Sequence, residues 1–458
     1  MNPIHKMTRF ETIDSCGSAV IAQRTGAVRK APARQRPATK HLKTAAVLGV
    51  ALLVAALLAY RPSVVRAANG SHAPIVIASD SDFQICNCVL SGLGTTADPY
   101  ILGPWTLNST GSGDTAVSVD GTLLTKSFTL FNLTIAGNGS SSSTGIVLNH
   151  INPPGQKTIS ATVSGSQTSI QSNGVGILVE NSNYVTLDGA GANPSGAGIG
   201  NSGAGTINKN LVGAIDIENS NNVTVKGWQF SANGQDNTPD YIAFDPSLAN
   251  WGVGAIRVFG SSNTLIDHNP ANNCTTASFS LFNSSHDTIS NNTADYPFTD
   301  NVLITDGSSF NTVSNNVFST ADFVGILIAD PLPGTATLNQ YGPSHDNLIQ
   351  GNVDHTDGPT GAEVRSRIAP SFVGGIIILN GAYNNSIIGN QPHANAVTDL
   401  GWAQAIPDPN SPIGVVADPT IIQCNVTVSE GGGGVANHNG NVWSGNTFKH
   451  IDACISQQ

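Results

Sequence analysis

Charge is scarce in this chain. Asp, Glu, Lys and Arg make up 11% of its 458 residues, too little to clothe the polar faces of many amphipathic helices. Methionine is nearly absent, with only Met1 and Met7. Delivery of soft metals draws on clusters of Met, Cys and His, so a body without methionine disfavours copper handling. Cysteine is sparse: Cys16, Cys86, Cys88, Cys274, Cys424 and Cys454. Cys86-Asn87-Cys88 is too short a spacing for an easy mutual bridge, whereas Cys424 with Cys454 could close the C-terminal end. Buried thiols explain the same residues equally well. Long apolar runs are missing too, with one exception at residues 44–60, TAAVLGVALLVAALLAY.

That exception separates two stretches of opposite charge. Residues 1–67 hold 11 Lys/Arg against 2 Asp/Glu, and the remainder holds 8 against 28, a balance of −20. A basic head retained in the cytoplasm and an acidic body exported across the membrane account for this asymmetry. A spanning helix needs about 20 apolar residues, with about 17 at the lower edge, so residues 44–60 fit a signal-peptide core or an uncleaved anchor. A buried globular helix is the plainer alternative. Membrane contact is expected only through this segment, and only if it is uncleaved. The acidic body argues against a nucleic-acid partner.

What is abundant is glycine, at 49 residues, with Asn, Ser and Thr, set between short β-prone runs. These runs repeat. GILVENSNYVTL (176–187) aligns with GAIDIENSNNVTV (213–225) and GAIRVFGSSNTLI (254–266). Shorter matches follow at NSSHDTI (283–289), GSSFNTV (307–313), GPSHDNLI (342–349) and NGAYNNSI (380–387). A step of 20–30 residues with alternating apolar positions is the signature of a β-solenoid. In Ile215-Asp-Ile-Glu218 the isoleucines face inward and the acids outward. Asn-rich corners turn the chain, because Asn tolerates left-handed geometry. The recurring asparagines at Asn291-Asn292, Asn315-Asn316, Asn352, Asn390 and Asn446 invite side-chain ladders at about 4.8 Å per coil.

These units resemble the right-handed parallel β-helix superfamily, the pectate-lyase-like proteins and periplasmic copper-maturation β-helix proteins in particular. Residues 74–101 look like the lead-in to such a helix. The implied fold is all-β: a right-handed, single-stranded parallel β-helix preceded by a basic tail and one hydrophobic helix. The expected organisation is a disordered head at 1–43, the apolar segment at 44–60, a linker at 61–73 and the solenoid at 74–458.

Chemistry is expected where the coils lengthen, since solenoid insertions become loops on one face. Insertions occupy residues 188–210, 231–252 and 354–373. Outward positions near the first two are Glu180, Asp216, Glu218 and Arg257, which stacked coils would bring to one surface as a catalytic group. Tyr241, Asp245 and Trp251, in the second insertion, are placed to contact a substrate. Asp216 and Glu218 could instead ligate Ca²⁺. Ordinary surface charge explains the same acids, with Arg257 neutralising them. His286-Asp287 and His345-Asp346 look like acid–base dyads. Phe310-Asn311 and Tyr383-Asn384 fill the same corner, however, which points to a structural slot for a flat side chain followed by Asn or Asp.

The function expected from this pattern is an extracytoplasmic protein that binds or processes polysaccharide or cell-surface glycan along an outward groove. If an enzyme, it is a polysaccharide lyase or a glycoside hydrolase. A non-catalytic scaffold or adhesin is the alternative, and a helper in periplasmic metal-site maturation is a third. The acidic body favours a neutral glycan over a polyanion unless Ca²⁺ bridges the two.

Overall fold

The computed structural model describes residues 70–447 except 109–113, 157, 191–203, 235–253, 275–276, 298–299, 322–323, 330–340, 356–373, 380–381, 394–397, 404, 408–414, 418–434 and 438–440. The basic head, the apolar segment at 44–60, Cys424 and Cys454 therefore lie outside the described residues. Among those described, no helix is long and apolar enough to cross a membrane.

The body winds as a right-handed parallel β-helix with three long sheets of 11, 13 and 11 strands. Sheet I runs from Ile75–Ile77 to Thr398–Ala403 and carries most of the six-residue strands. Sheet II includes Val185–Asp188, Leu265–Asp267 and Thr288–Ser290, and sheet III includes Trp228–Ser231 and Val353–His355. Successive coils contribute successive strands to each sheet, so strands in the interior of the three sheets pair in parallel with those of the coils before and after them.

Alternation along each strand builds the core. In sheet I, Ile177, Ile215, Ile256, Phe279, Val302, Ile326 and Ile376 occupy one register column. All are fully buried. Val225, Ile266, Ile289, Val313, Ile349 and Ile387 do the same in sheet II. A continuous apolar interior of this kind contributes about 25 cal/mol per Å² removed from water. Between strands the chain turns through left-handed residues, among them Asn181, Asn219, Asn263, Asn291 and Asn315. Asn accepts that geometry at lower cost than most residues.

The anticipated ladder is present, and further asparagine ladders, one of them Asn173, Asn210 and Asn233, line other corners. Asn269, Asn292, Asn316, Asn352, Asn390 and Asn446 form the anticipated one, each amide Nδ2 donating to the next Oδ1 at 2.9–3.1 Å. Asn311, Asn347, Asn385 and Asn441 form a second. The second ladder corrects the sequence alignment of the dyads. Ser285, Ser309, His345 and Tyr383 are bridged in line, so His345 and Tyr383 stand one place before His286 and Phe310. The coils align on the buried asparagine rather than on the ring. The rings still meet outside, where His286, Phe310, His345 and Tyr383 pack in succession at 5.3, 5.7 and 4.7 Å.

At both ends of sheet II the pairing turns antiparallel. Val89–Ser91 runs antiparallel to Tyr100–Leu102, and Val435–Asn437 antiparallel to Asn441–Ser444. Among the described residues the first strand to pair is Gly70–Ser71, against Trp105 and Thr106. At this N-terminal end Cys86 and Cys88 are joined by a disulfide, contrary to the sequence expectation. Asn87 adopts φ 54° and the two Cα atoms sit 5.1 Å apart, so a left-handed middle residue folds the short spacing back on itself. Cys274 is a free, buried thiol.

Candidate active site

The outward residues of sheet I form two columns beside each other. One runs Val147, Leu178, Asp216, Arg257, Ser280, Leu303; the other runs Asn149, Glu180, Glu218, Phe259, Phe282, Thr305. Parallel pairing therefore sets Asp216 beside Arg257 and Glu180 beside Glu218. Sequence reasoning expected these four residues on one surface, and the register brings them there.

Arg257 is the hub. Its Nε donates to Asp216 Oδ1 at 2.9 Å and its Nη2 to Asp216 Oδ2 at 2.6 Å. Nη2 also donates to Glu218 Oε1 at 2.6 Å. The ring of Phe259 lies 6.0 Å from the guanidinium carbon. Asp216 and Arg257 are each only 4% exposed, so they are not the solvated surface charges that the plainer alternative supposes. Burial opposes the charge on Arg257, but the adjoining carboxylates of Asp216 and then Glu218 outweigh it and hold the guanidinium firmly cationic.

Glu218 is the part of this group that meets solvent, its side chain 29% exposed. Burial, then the negative charge of Asp216, push its carboxyl up to about 7 against the pull of Arg257; Glu180 adds to the rise. Near neutral pH the site thus holds an acid able to give up a proton beside a carboxylate locked by a cation. A carboxyl raised by burial and a neighbouring negative charge is suited to the acid role. The three oxygens that Arg257 engages are ones a calcium ion would need, since Ca²⁺ takes 6–8 oxygen ligands. Among the described residues no three His, Cys, Asp or Glu side chains gather as a metal-binding set.

Beyond the charged group the same face turns apolar. Ala277, Phe282 and Leu303 are buried together, with Phe259 and Leu327 packed against them. Tyr341 meets Phe259 edge-on at 6.5 Å. Between the two halves sits Ser280, whose buried hydroxyl has no hydrogen-bond partner among the described residues. The sequence reading missed this wall. Its signal was present in Phe279–Phe282 and Asp300–Thr305, strands buried at every position, because apolar residues at consecutive positions mark a strand covered on both faces.

Tyr241, Asp245 and Trp251 lie outside the described residues. His345 and Asp346 do form a pair, Nδ1 to Oδ2 at 2.7 Å, as do His268 and Asp267 at 2.6 Å. Cys274 is enclosed in the core, and burial pushes its thiol up to about 11.

No curated protein matches this sequence. Among solved structures, the chain is similar to an alginate lyase from Paenibacillus sp. str. FPU-7, with 13% identity and a TM-score of 0.37 over 73% of this chain and 94% of that one. It is similar to a DFA-IIIase from Arthrobacter chlorophenolicus A6, with 10% identity and a TM-score of 0.38 over 65% and 60%. A family 28 exopolygalacturonase of Yersinia enterocolitica shows 10% identity and a TM-score of 0.37 over 72% and 74%. The sequence profile of the right-handed beta helix region matches residues 155–332 and 244–392, together more than half of the chain and spanning Asp216, Glu218 and Arg257. With that match and the parallel coils described above, the chain belongs to the right-handed β-helix family.

Proposed function

We propose that the outer face of sheet I is a carbohydrate-processing site in which Glu218 acts as general acid. The observation that carries this reading is the state of Glu218: partly exposed, and protonated up to about pH 7 by burial and by Asp216. Such a carboxyl can donate its proton to the leaving oxygen of a glycosidic bond. Glu180, one coil away in the same column, is the second carboxylate, placed to serve as base or nucleophile. Arg257 and Asp216 fix the geometry. With three bonds to acids, Arg257 is ill suited to act as the base of an elimination, which favours hydrolysis over a lyase reaction. Phe259 offers a flat apolar surface for a sugar ring. The acidic body favours a neutral glycan. The protein works outside the cytoplasm on this reading, a compartment in which a disulfide such as Cys86–Cys88 persists.

One observation favours a second reading, a non-catalytic scaffold or adhesin: Arg257 already satisfies both acids, as a purely structural ion cluster would. The two readings separate when the full chain is incubated with neutral and uronate-containing polysaccharides, with and without Ca²⁺. Reducing ends and the absorbance of unsaturated uronates are followed for wild type and Glu218→Gln. New reducing ends that vanish in the variant support hydrolysis. Unsaturated products would identify a lyase instead, and binding without any product would leave the scaffold.

A further inference from the structure

One rung of the second ladder is not asparagine. Asp287 stands at the ladder position of Asn311, Asn347 and Asn385, and it is 1% exposed. Its backbone N–H donates to Asn311 Oδ1 at 2.9 Å, as that of Asn311 does to Asn347. Its Oδ1 accepts from the backbone N–H of Thr264 at 2.6 Å. Up to this point aspartate imitates asparagine.

The imitation fails at the other side-chain atom. In the regular rungs Nδ2 is a donor aimed at two oxygens. Asn311 Nδ2 reaches Asn347 Oδ1 and Ser284 O, both at 3.0 Å, and Asn347 Nδ2 reaches Asn385 Oδ1 and Ser308 O at 2.9 and 3.0 Å. Asp287 has an oxygen, Oδ2, where these residues have the amide nitrogen. By the ladder's repeat its neighbours are Asn311 Oδ1 and Ser261 O, both acceptors. Oδ2 is buried and has no hydrogen-bond partner among the described residues. An ionised carboxylate would press oxygen against oxygen inside the coil, whereas a proton on Oδ2 restores the missing donor.

We propose that Asp287 is a proton-bearing rung, a pH-sensitive fastener between the coil that carries Arg257 and the coil that carries Ser280 and Phe282. Burial pushes its carboxyl up to about 7, with the hydrogen bonds from Thr264 pulling the other way. The surrounding charges leave it to this environment. His286 turns outward to stack on Phe310, Asp267 on the preceding coil is engaged by Asn291, His268 and Ser290, and Asp346 on a later coil is paired with His345. The folded chain keeps this proton up to about pH 7, while an unfolded aspartate holds it only to about 3.8. Between those values the folded state binds more protons, so stability falls as pH rises and levels off above the folded value. The device tightens the solenoid in mildly acidic surroundings and relaxes it in alkaline ones.

Thermal unfolding of the full chain, wild type against Asp287→Asn, tests this from pH 5 to pH 9. Asparagine completes the ladder at every pH, so the variant is expected to melt above wild type by a margin that widens as pH rises from 5 towards 7 and stays level above 7. A gap that does not change between pH 5 and pH 7, or a variant less stable throughout, would overturn the proposal. Wild type alone gives a second check through hydrogen exchange, corrected for base catalysis of the intrinsic rate. The Asp287 amide should lose protection across pH 7 while that of Asn385 keeps it, and equal behaviour of the two amides would also refute the fastener.

Discussion

Arg257 closes on Asp216 through two parallel bonds, Nε to Oδ1 and Nη2 to Oδ2, although the residues lie 41 apart in the chain. One coil step brings them together, and neither makes sense in that place without the other.

Removing the cation should therefore be costly. Arg257→Ala leaves Asp216 charged and enclosed, and breaking one side of a buried pair costs about 3–5 kcal/mol. Arg257→Lys keeps the charge but loses the forked geometry, so it should recover only part of the loss. Denaturant unfolding of the three proteins measures both steps.

Glu218 predicts the pH dependence of any turnover. A general acid must carry its proton, so the limb that reports Glu218 should fall as pH rises through about 7. Glu218→Gln should lower kcat by about 10²–10⁴-fold, the usual contribution of a positioned acid, and remove that limb. A full pH–rate profile on the best substrate of the polysaccharide panel decides it.

The regular ladders carry their own prediction. Asn316 sits at 0% exposure, taking bonds from Asn292 and giving them to Asn352 and Ile289 O. Asn316→Ala strands those buried partners, at about 1–3 kcal/mol for each group left unsatisfied. Asn316→Asp should cost more at pH 8 than at pH 5, the same asymmetry assigned to Asp287. Melting curves at the two pH values distinguish these cases.

A core substitution calibrates the rest. Ile256 is fully buried between Ile215 and Phe279, and Ile256→Ala should destabilise by about 2–5 kcal/mol. Because it lies on the same strand as Arg257, equal losses from the two alanine variants would mean that the ion cluster is a stability element of ordinary size.

Much of this was legible in the sequence because a solenoid repeats its physics. Alternation around Ile215 and Ile217 gives the inward face, and the recurring asparagines give a ladder. Glu180, Asp216, Glu218 and Arg257 fall at outward positions of aligned coils. What could not be read depends on conformation or on partners distant in the chain. Cys86 and Cys88 bond only because Asn87 turns left-handed. The extra residue before Asn347 and Asn385 moves the rings of His345 and Tyr383 by one place, since a buried amide with several bonds decides the register and an exposed ring does not. The enclosure of Asp216 and Arg257 depends on what packs over their coils, and the alternation of a single strand carries no sign of it.

The ladders also set what the fold is able to count. Asn292 and Asn316 are 24 residues apart, Asn316 and Asn352 are 36 apart, and Asn390 and Asn446 are 56 apart, yet the bonds between them measure 3.1, 2.9 and 3.0 Å. Each rung registers its neighbour and is indifferent to the length of chain spent between them. A coil can thus lengthen by a few residues or by several dozen without the next coil slipping, because the following asparagine returns the chain to its berth. The rows of amides act as a ruler with fixed divisions, and everything that protrudes between the marks is free to vary with what the protein must touch.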